Sequence, residues 1–172
     1  MSLAIEFHND IDPSFVLAMM EKHRLLPDAM RANPATIAAF ANASACIAIT
    51  DDEDYKAFIL ETVLAEGVMD LTAFVLDREI IKKRGEIESF QYILRDKWFG
   101  SGEIRRIQTY IPITRKNTKR LFVYLGFIQE TRDCGLRSLL KINGKEESCV
   151  AMGLLPGDPI RENVVQAEVI HA

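Results

Sequence analysis

One helix in this chain has almost no room. Residues 117–127 read Asn-Thr-Lys-Arg-Leu-Phe-Val-Tyr-Leu-Gly-Phe. A β-rich run, Ile104 to Ile113, precedes them, and a second starts at Phe127. About two turns of helix fit between these strands. Gly126 closes the helix, since the residue after a helix C-terminus often takes the left-handed conformation that glycine enters without penalty. Strand, short helix and strand in such quick succession commit this part of the chain to an α/β fold.

The preceding residues extend the pattern. Leu3 to His8 reads as a strand. Asp12-Pro13 then starts a helix, with Asp12 as N-cap and Pro13 at the first helical position. Phe15, Val16, Met19 and Met20 carry its apolar stripe to about Leu25. Asn33-Pro34 repeats the start signal for a second short helix through Ile37, Ala38 and Phe40. Ala45–Thr50 is a strand, Asp51-Asp52-Glu53-Asp54 an acidic turn, and Tyr55–Leu64 a returning strand. After a turn at Glu66-Gly67, Met69–Leu76 has so few polar interruptions that burial on both faces is expected.

A polar loop, Asp77 to Gly85, leads to a helix marked by Ile87, Phe90, Ile93, Leu94 and Trp98 at three- and four-residue spacing. Phe99-Gly100-Ser101-Gly102 ends it. A last hairpin pairs Phe127–Ile142 with Ser148–Leu155 around the strong turn signal Asn143-Gly144. The order is β, α, α, β, β, β, α, β, α, β, β. Residues 1–155 read as one domain, and 156–172 as a polar tail.

Charge and cysteine content narrow the function. The net charge of −4 argues against broad nucleic-acid binding. Arg105, Arg106, Arg115, Lys116, Lys119 and Arg120 nevertheless form a local basic group, either a phosphate contact or a solvated face. The three cysteines, Cys46, Cys134 and Cys149, have no metal-ligand spacing, so no metal is expected. Cys46 and Cys149 sit in apolar runs as buried thiols, and Cys134 in a polar stretch. Residues 32–50 are uncharged but too rich in alanine and too interrupted to span a bilayer. No secretory-leader pattern is seen, and a cytoplasmic location is expected.

The element order, with Asn117 and the ending Leu125-Gly126-Phe127, resembles the Gcn5-related N-acetyltransferase (GNAT) family. Its members carry an Asn, about two helical turns, then "lGF". The resemblance spans residues 3–155 in element order and 69–155 in motifs. It implies a GNAT-like mixed, mostly antiparallel sheet with helices on both faces, and acetyl-CoA as acyl donor. In that family the pantetheine arm lies in a V between two parallel strands, here beyond the strand ending at Leu76. The pyrophosphate sits at the start of the following helix, where N–H groups favour anions.

The family's loop pattern, Gln/Arg-x-x-Gly-x-Gly/Ala, falls on Lys82-Lys83-Arg84-Gly85-Glu86-Ile87. Gly85 takes the place of the first glycine and Lys82 that of the Gln/Arg. Ile87 replaces a small residue and would crowd a pyrophosphate or move the loop. Glu86 and Glu88 favour the helix dipole but repel phosphate. Two readings stand. Lys82, Lys83 and Arg84 offset the carboxylates in a CoA loop, or this is a capped helix start with no ligand. Asn117 would help place the pantetheine arm, serve as an N-cap, or both. Arg120, a turn further on, would reach a phosphate.

Acetyl transfer to an amine needs a base, an oxyanion donor and an acid for the leaving thiolate. The family's acid is often a Tyr four residues before the Gly of "GF", where this chain has Phe122. Tyr124 would face elsewhere, and Tyr110 on the preceding strand is the substitute. Asp70 and Asp77 flank the central strand. Glu61 on the neighbouring strand is the first choice for the base, unless it faces outward from its strand.

The resemblance therefore implies an acyl-CoA-dependent N-acyltransferase with a small-molecule or protein amine as acceptor. The alternative is a non-catalytic GNAT-like binding or assembly module of the kind found in phages and mobile elements. Residues 13–42 and 134–148, where acceptor specificity would lie, carry no interpretable motif. The exposed final hairpin would suit a homodimer edge.

Overall fold

The computed structural model describes residues 2–8, 12–22, 45–52, 54–132, 135–142 and 144–160. The expected second helix at Asn33-Pro34, as well as Cys134 and Asn143, lies outside them. The described elements are β1 (Leu3–His8), α1 (Pro13–Lys22), β2 (Ala45–Asp51), β3 (Asp54–Ala65), β4 (Val68–Val75), a 3-10 turn (Arg78–Lys82), α2 (Arg84–Phe99), β5 (Arg106–Pro112), α3 (Lys116–Tyr124), β6 (Ile128–Gln129), β7 (Leu136–Ile142) and β8 (Lys145–Leu154).

The strands form one mixed sheet in the order β1-β2-β3-β4-β5-β8-β6, with β7 also on β8. Only β4 and β5 run parallel among the described pairs. Strand alternation separates the two faces. Ile47, Ile49, Ile59, Leu71, Ile107, Ile111 and Met152 join Ile87, Phe90, Leu94 and Trp98 of α2 and Leu121 and Phe122 of α3 in one core. On the other face Phe15 of α1 packs edge-on against Phe58, with ring centroids 5.9 Å apart. Asp12 caps α1 as its sequence suggests, its Oδ1 accepting from the Ser14 N–H at 2.9 Å.

Some elements differ from expectation. The polar loop after β4 is an ordered 3-10 turn capped by Asp77, and it buries Ile80 and Ile81. The strand expected from Phe127 to Ile142 is broken into β6 and β7. β4 is buried at Met69, Leu71 and Phe74 but only half-buried at Asp70, Thr72, Ala73 and Val75.

Two glycines hold the geometry. Gly67 turns β3 into β4 at φ +76. Its carbonyl accepts from the N–H groups of both Arg105 and Arg106, at 2.8 and 3.0 Å, which seats the start of β5 beside β4. Gly126 ends α3 at φ +91, and a Cβ there would lie 2.9 Å from Gln91 Oε1. Gln91 is fully buried and donates to the Tyr124 carbonyl at 2.8 Å, so it has little freedom to retreat. Gly126→Ala should therefore cost about 1–3 kcal/mol of unfolding free energy, checked by urea denaturation.

Candidate active site

The site begins where a strand pair gives out. β4 and β5 pair at Val68–Arg106, Met69–Ile107 and Asp70–Gln108, and the pairing ends there. β4 stays on β3 up to Val75, and β5 stays on β8 up to Pro112. The facing edges beyond Asp70 and Gln108 thus have no ladder partner among the described strands. Backbone N–H and C=O groups in a sheltered place require partners. Two such opposed edges make a slot suited to an extended chain with amides of its own.

At the head of the slot the chain turns into α2. The Leu76 and Asp77 N–H groups both donate to the Lys56 carbonyl, at 2.9 and 3.1 Å, which closes the end of β4. α2 starts at Arg84 after Lys83, with no side chain capping it. An added Cβ at Gly85 would meet nothing within 4 Å, so the space over this first turn is open. Ile87 does not stand in that space. It is fully buried in the core, because it belongs to the same stripe as Phe90, Leu94 and Trp98.

The cations here are engaged within the protein. Lys82 pairs with Glu79, Lys83 with Asp51 at 2.7 Å, and Arg84 with Glu88 at 2.6 Å. The Asp51 pair raises the Lys83 pKa and lowers that of Asp51, while Glu88 raises that of Arg84. Glu86 turns away from the slot and accepts from the Leu3 N–H of β1.

Across the slot, α3 begins at Lys116 with Arg115 as its cap residue. Asn117 is therefore inside the first turn, and the N-cap expected of it is not made. Lys116, Arg120 and Tyr124 follow at four-residue spacing and share one side of α3. The Arg84 guanidinium lies over the Tyr124 ring, 5.4 Å from its centre, and so ties this side of α3 to the start of α2. The basic group seen in the sequence is divided by the length of β5. Arg105 and Arg106 lie at its start, where Arg106 pairs with Glu130, and Arg115 to Arg120 lie beyond its end.

Solved structures share this fold at low sequence identity. yncA of Salmonella typhimurium, solved with its cofactor acetyl-CoA, matches 92% of this chain and 96% of its own, with TM-score 0.63 and 12% identity. An acetyltransferase of the GNAT family from Streptococcus pneumoniae matches 90% and 99%, with TM-score 0.59 and 15% identity. The spermidine N-acetyltransferase of Vibrio cholerae, in complex with CoA and spermine, matches 91% and 97%, with TM-score 0.58 and 12% identity. The fold is that of the GNAT acetyltransferases. No family model and no curated protein matches the sequence.

Within this GNAT fold the candidate acid and base groups fall on opposite faces. Glu61 pairs with Leu71 in register, on the core face, and is 1% exposed. Its two oxygens accept from Lys97 Nζ and Trp98 Nε1. The outward-facing alternative is thus excluded, and the carboxylate is built into the packing under α2. Phe122 is also in the core, with its ring centre 4.9 Å from that of Phe127. Cys46 and Cys149 are buried free thiols, and burial pushes their pKa values up to about 12 and about 11.

Asp70, Gln108 and Tyr110 share the other face, Asp70 at the last paired position and Tyr110 on the β5 arm. Asp70 Oδ1 is buried without a partner among the described residues. Burial raises the Asp70 pKa to about 6, against a lowering hydrogen bond from Gln108. Reading the sequence alone names Asp70 only in passing. A single acid in an apolar strand gives no sign of facing Gln108 38 positions later, until the register is known. Glu61→Ala would strand Lys97 and the indole N–H, and should cost about 3 kcal/mol in chemical unfolding without any ligand present.

Proposed function

We propose that this chain is an acyl-CoA-dependent N-acyltransferase, transferring acetyl from acetyl-CoA to an amine with release of CoA. The observation that carries this reading is the slot between β4 and β5, open beyond the Asp70–Gln108 rung. An extended pantetheine arm, with its two amides, satisfies such edges as a strand would. Acetyl-CoA would supply the acetyl group already activated as a thioester.

The residues around the slot fit this ligand. The uncapped start of α2 and the open space over Gly85 suit a pyrophosphate, since backbone N–H groups and the helix dipole favour anions there. Lys116 and Arg120, on one side of α3, offer positive charge without an ion-pair partner among the described residues. Leu76 would meet the ligand with its side chain, because its N–H is spent on Lys56. Asn117 in the first turn of α3 would steady the arm. Tyr110, half-exposed on the β5 arm, would give a proton to the departing sulfur in place of the buried Phe122.

A second reading has its own support. Lys82, Lys83 and Arg84 each hold a carboxylate of the chain itself, which leaves the loop less charge for a phosphate. A non-catalytic GNAT-fold module would be built this way. Acetyl-CoA at a hundredfold excess over its Kd should add about 2.7 kcal/mol of stability, roughly 5–10 °C in Tm for a chain of this size. Gly85→Glu puts a carboxylate into open space, so it should fold normally and lose that shift. Absence of any shift in the unaltered protein at millimolar acetyl-CoA would favour the module. Tyr110→Phe should lower the acetylation rate by about a hundredfold while leaving the acetyl-CoA shift intact.

A further inference from the structure

The first turn of α2 is held from one side. Lys83 Nζ donates to Asp51 Oδ2 at 2.7 Å, and Glu86 accepts from the Leu3 N–H. Leu3 and Asp51 face each other across β1 and β2, so both bonds end on a single rung of the sheet. That rung is remote from the slot, because β3 stands between β2 and β4. Gly85 lies between the two tied residues. The Lys83 carbonyl accepts from the N–H groups of Glu86 and Ile87, each at 3.1 Å. The Arg84 and Gly85 N–H groups are left without a main-chain partner among the described residues.

Ile87 anchors the same turn in the core. Apolar burial has no direction, so one such side chain sets the depth of the turn and not its rotation. Hydrogen bonds do have direction, and one on each side of Gly85 sets the rotation as well. The Asp51–Lys83 pair is sheltered, with its side chains 16% and 27% exposed. Each partner favours the charged form of the other: the Asp51 pKa is lowered and that of Lys83 raised. Giving Lys83 up to a ligand would strand Asp51, whose other oxygen has no partner among the described residues. Lys83 is therefore committed to the rung.

We propose that the Leu3–Asp51 rung positions the phosphate end of acetyl-CoA from a distance, by fixing through Lys83 and Glu86 the direction of the Arg84 and Gly85 N–H groups. This step rests on the acyltransferase reading. Asp51, Lys83 and Glu86 are positioning residues, and their side chains do not touch the ligand. The consequence runs against simple charge counting. Acetyl-CoA is strongly negative, so deleting a carboxylate near its phosphates should tighten binding by Coulomb's law alone. Deleting either of these carboxylates loosens the turn instead. The binding orientation is then populated only part of the time, and the apparent affinity falls by that fraction.

The test is acetyl-CoA titrated into the full chain by calorimetry, at a temperature where circular dichroism shows each variant folded. Asp51→Ala and Glu86→Ala should each raise Kd about tenfold. Glu86→Gln keeps an oxygen for the Leu3 N–H but loses the charge, and should bind at least as tightly as the unaltered protein. The two alanine variants are independent, so if one fails to fold the other still decides. Tighter binding by D51A would mean that freed Lys83 reaches a phosphate, and would overturn the proposal. An unchanged Kd in the alanine variants would overturn it too, leaving the ties a role in stability alone. So would equal weakening in E86Q and E86A, since charge and not the bond to Leu3 would then matter. In each of these cases the unaltered protein still binds acetyl-CoA, and the acyltransferase reading survives. No binding by the unaltered protein would overturn that reading and this inference together.

Discussion

The fold turns on a competition between strand partners. β4 and β5 are neighbours, yet each is committed along most of its length to an antiparallel partner on its far side. Their own parallel contact ends after three rungs. Sheet twist separates strands that are not continuously tied, and here no described strand pairs into the separation. A defect in an otherwise continuous sheet thus becomes the feature around which the rest is organised. α2 and α3 seal one side of it, Gly67 pins its closed end, and the start of α2 stands at its mouth.

The two ends of this slot are built on different physics. At the mouth, charges are matched within the protein, pair by pair, from Lys82 to Arg84. At the closed end, one carboxylate is left unmatched in a half-buried place. Stability alone favours the first arrangement and penalises the second.

Much of this was legible in the sequence because it depends on near neighbours. The caps at Asp12 and Gly126, the stripe of α2 and the β2–β3 turn all follow from residues within a few positions of one another. The stripe even corrects a motif: Ile87 reads as an obstacle to phosphate in the loop pattern, but Ile87, Phe90, Leu94 and Trp98 together place it in the core. What stayed hidden depends on register. In β3, Phe58 to Leu60 are apolar on both faces, so alternation could not say which way Glu61 points. The Asp51–Lys83 pair joins residues 32 apart, and the Asp70–Gln108 rung joins residues 38 apart. Neither leaves a local trace.

The Gly67 carbonyl gives the sheet a mechanical character as well. It receives two N–H groups from the start of β5 at the point where the slot is closed. The strands on the β4 side and those on the β5 side are then two leaves joined at a short spine. A change in the width of the slot would then be a rotation about that spine, with α2 and α3 lying on its core face. The sheet would flex as a book does, opening most at the edge farthest from Gly67.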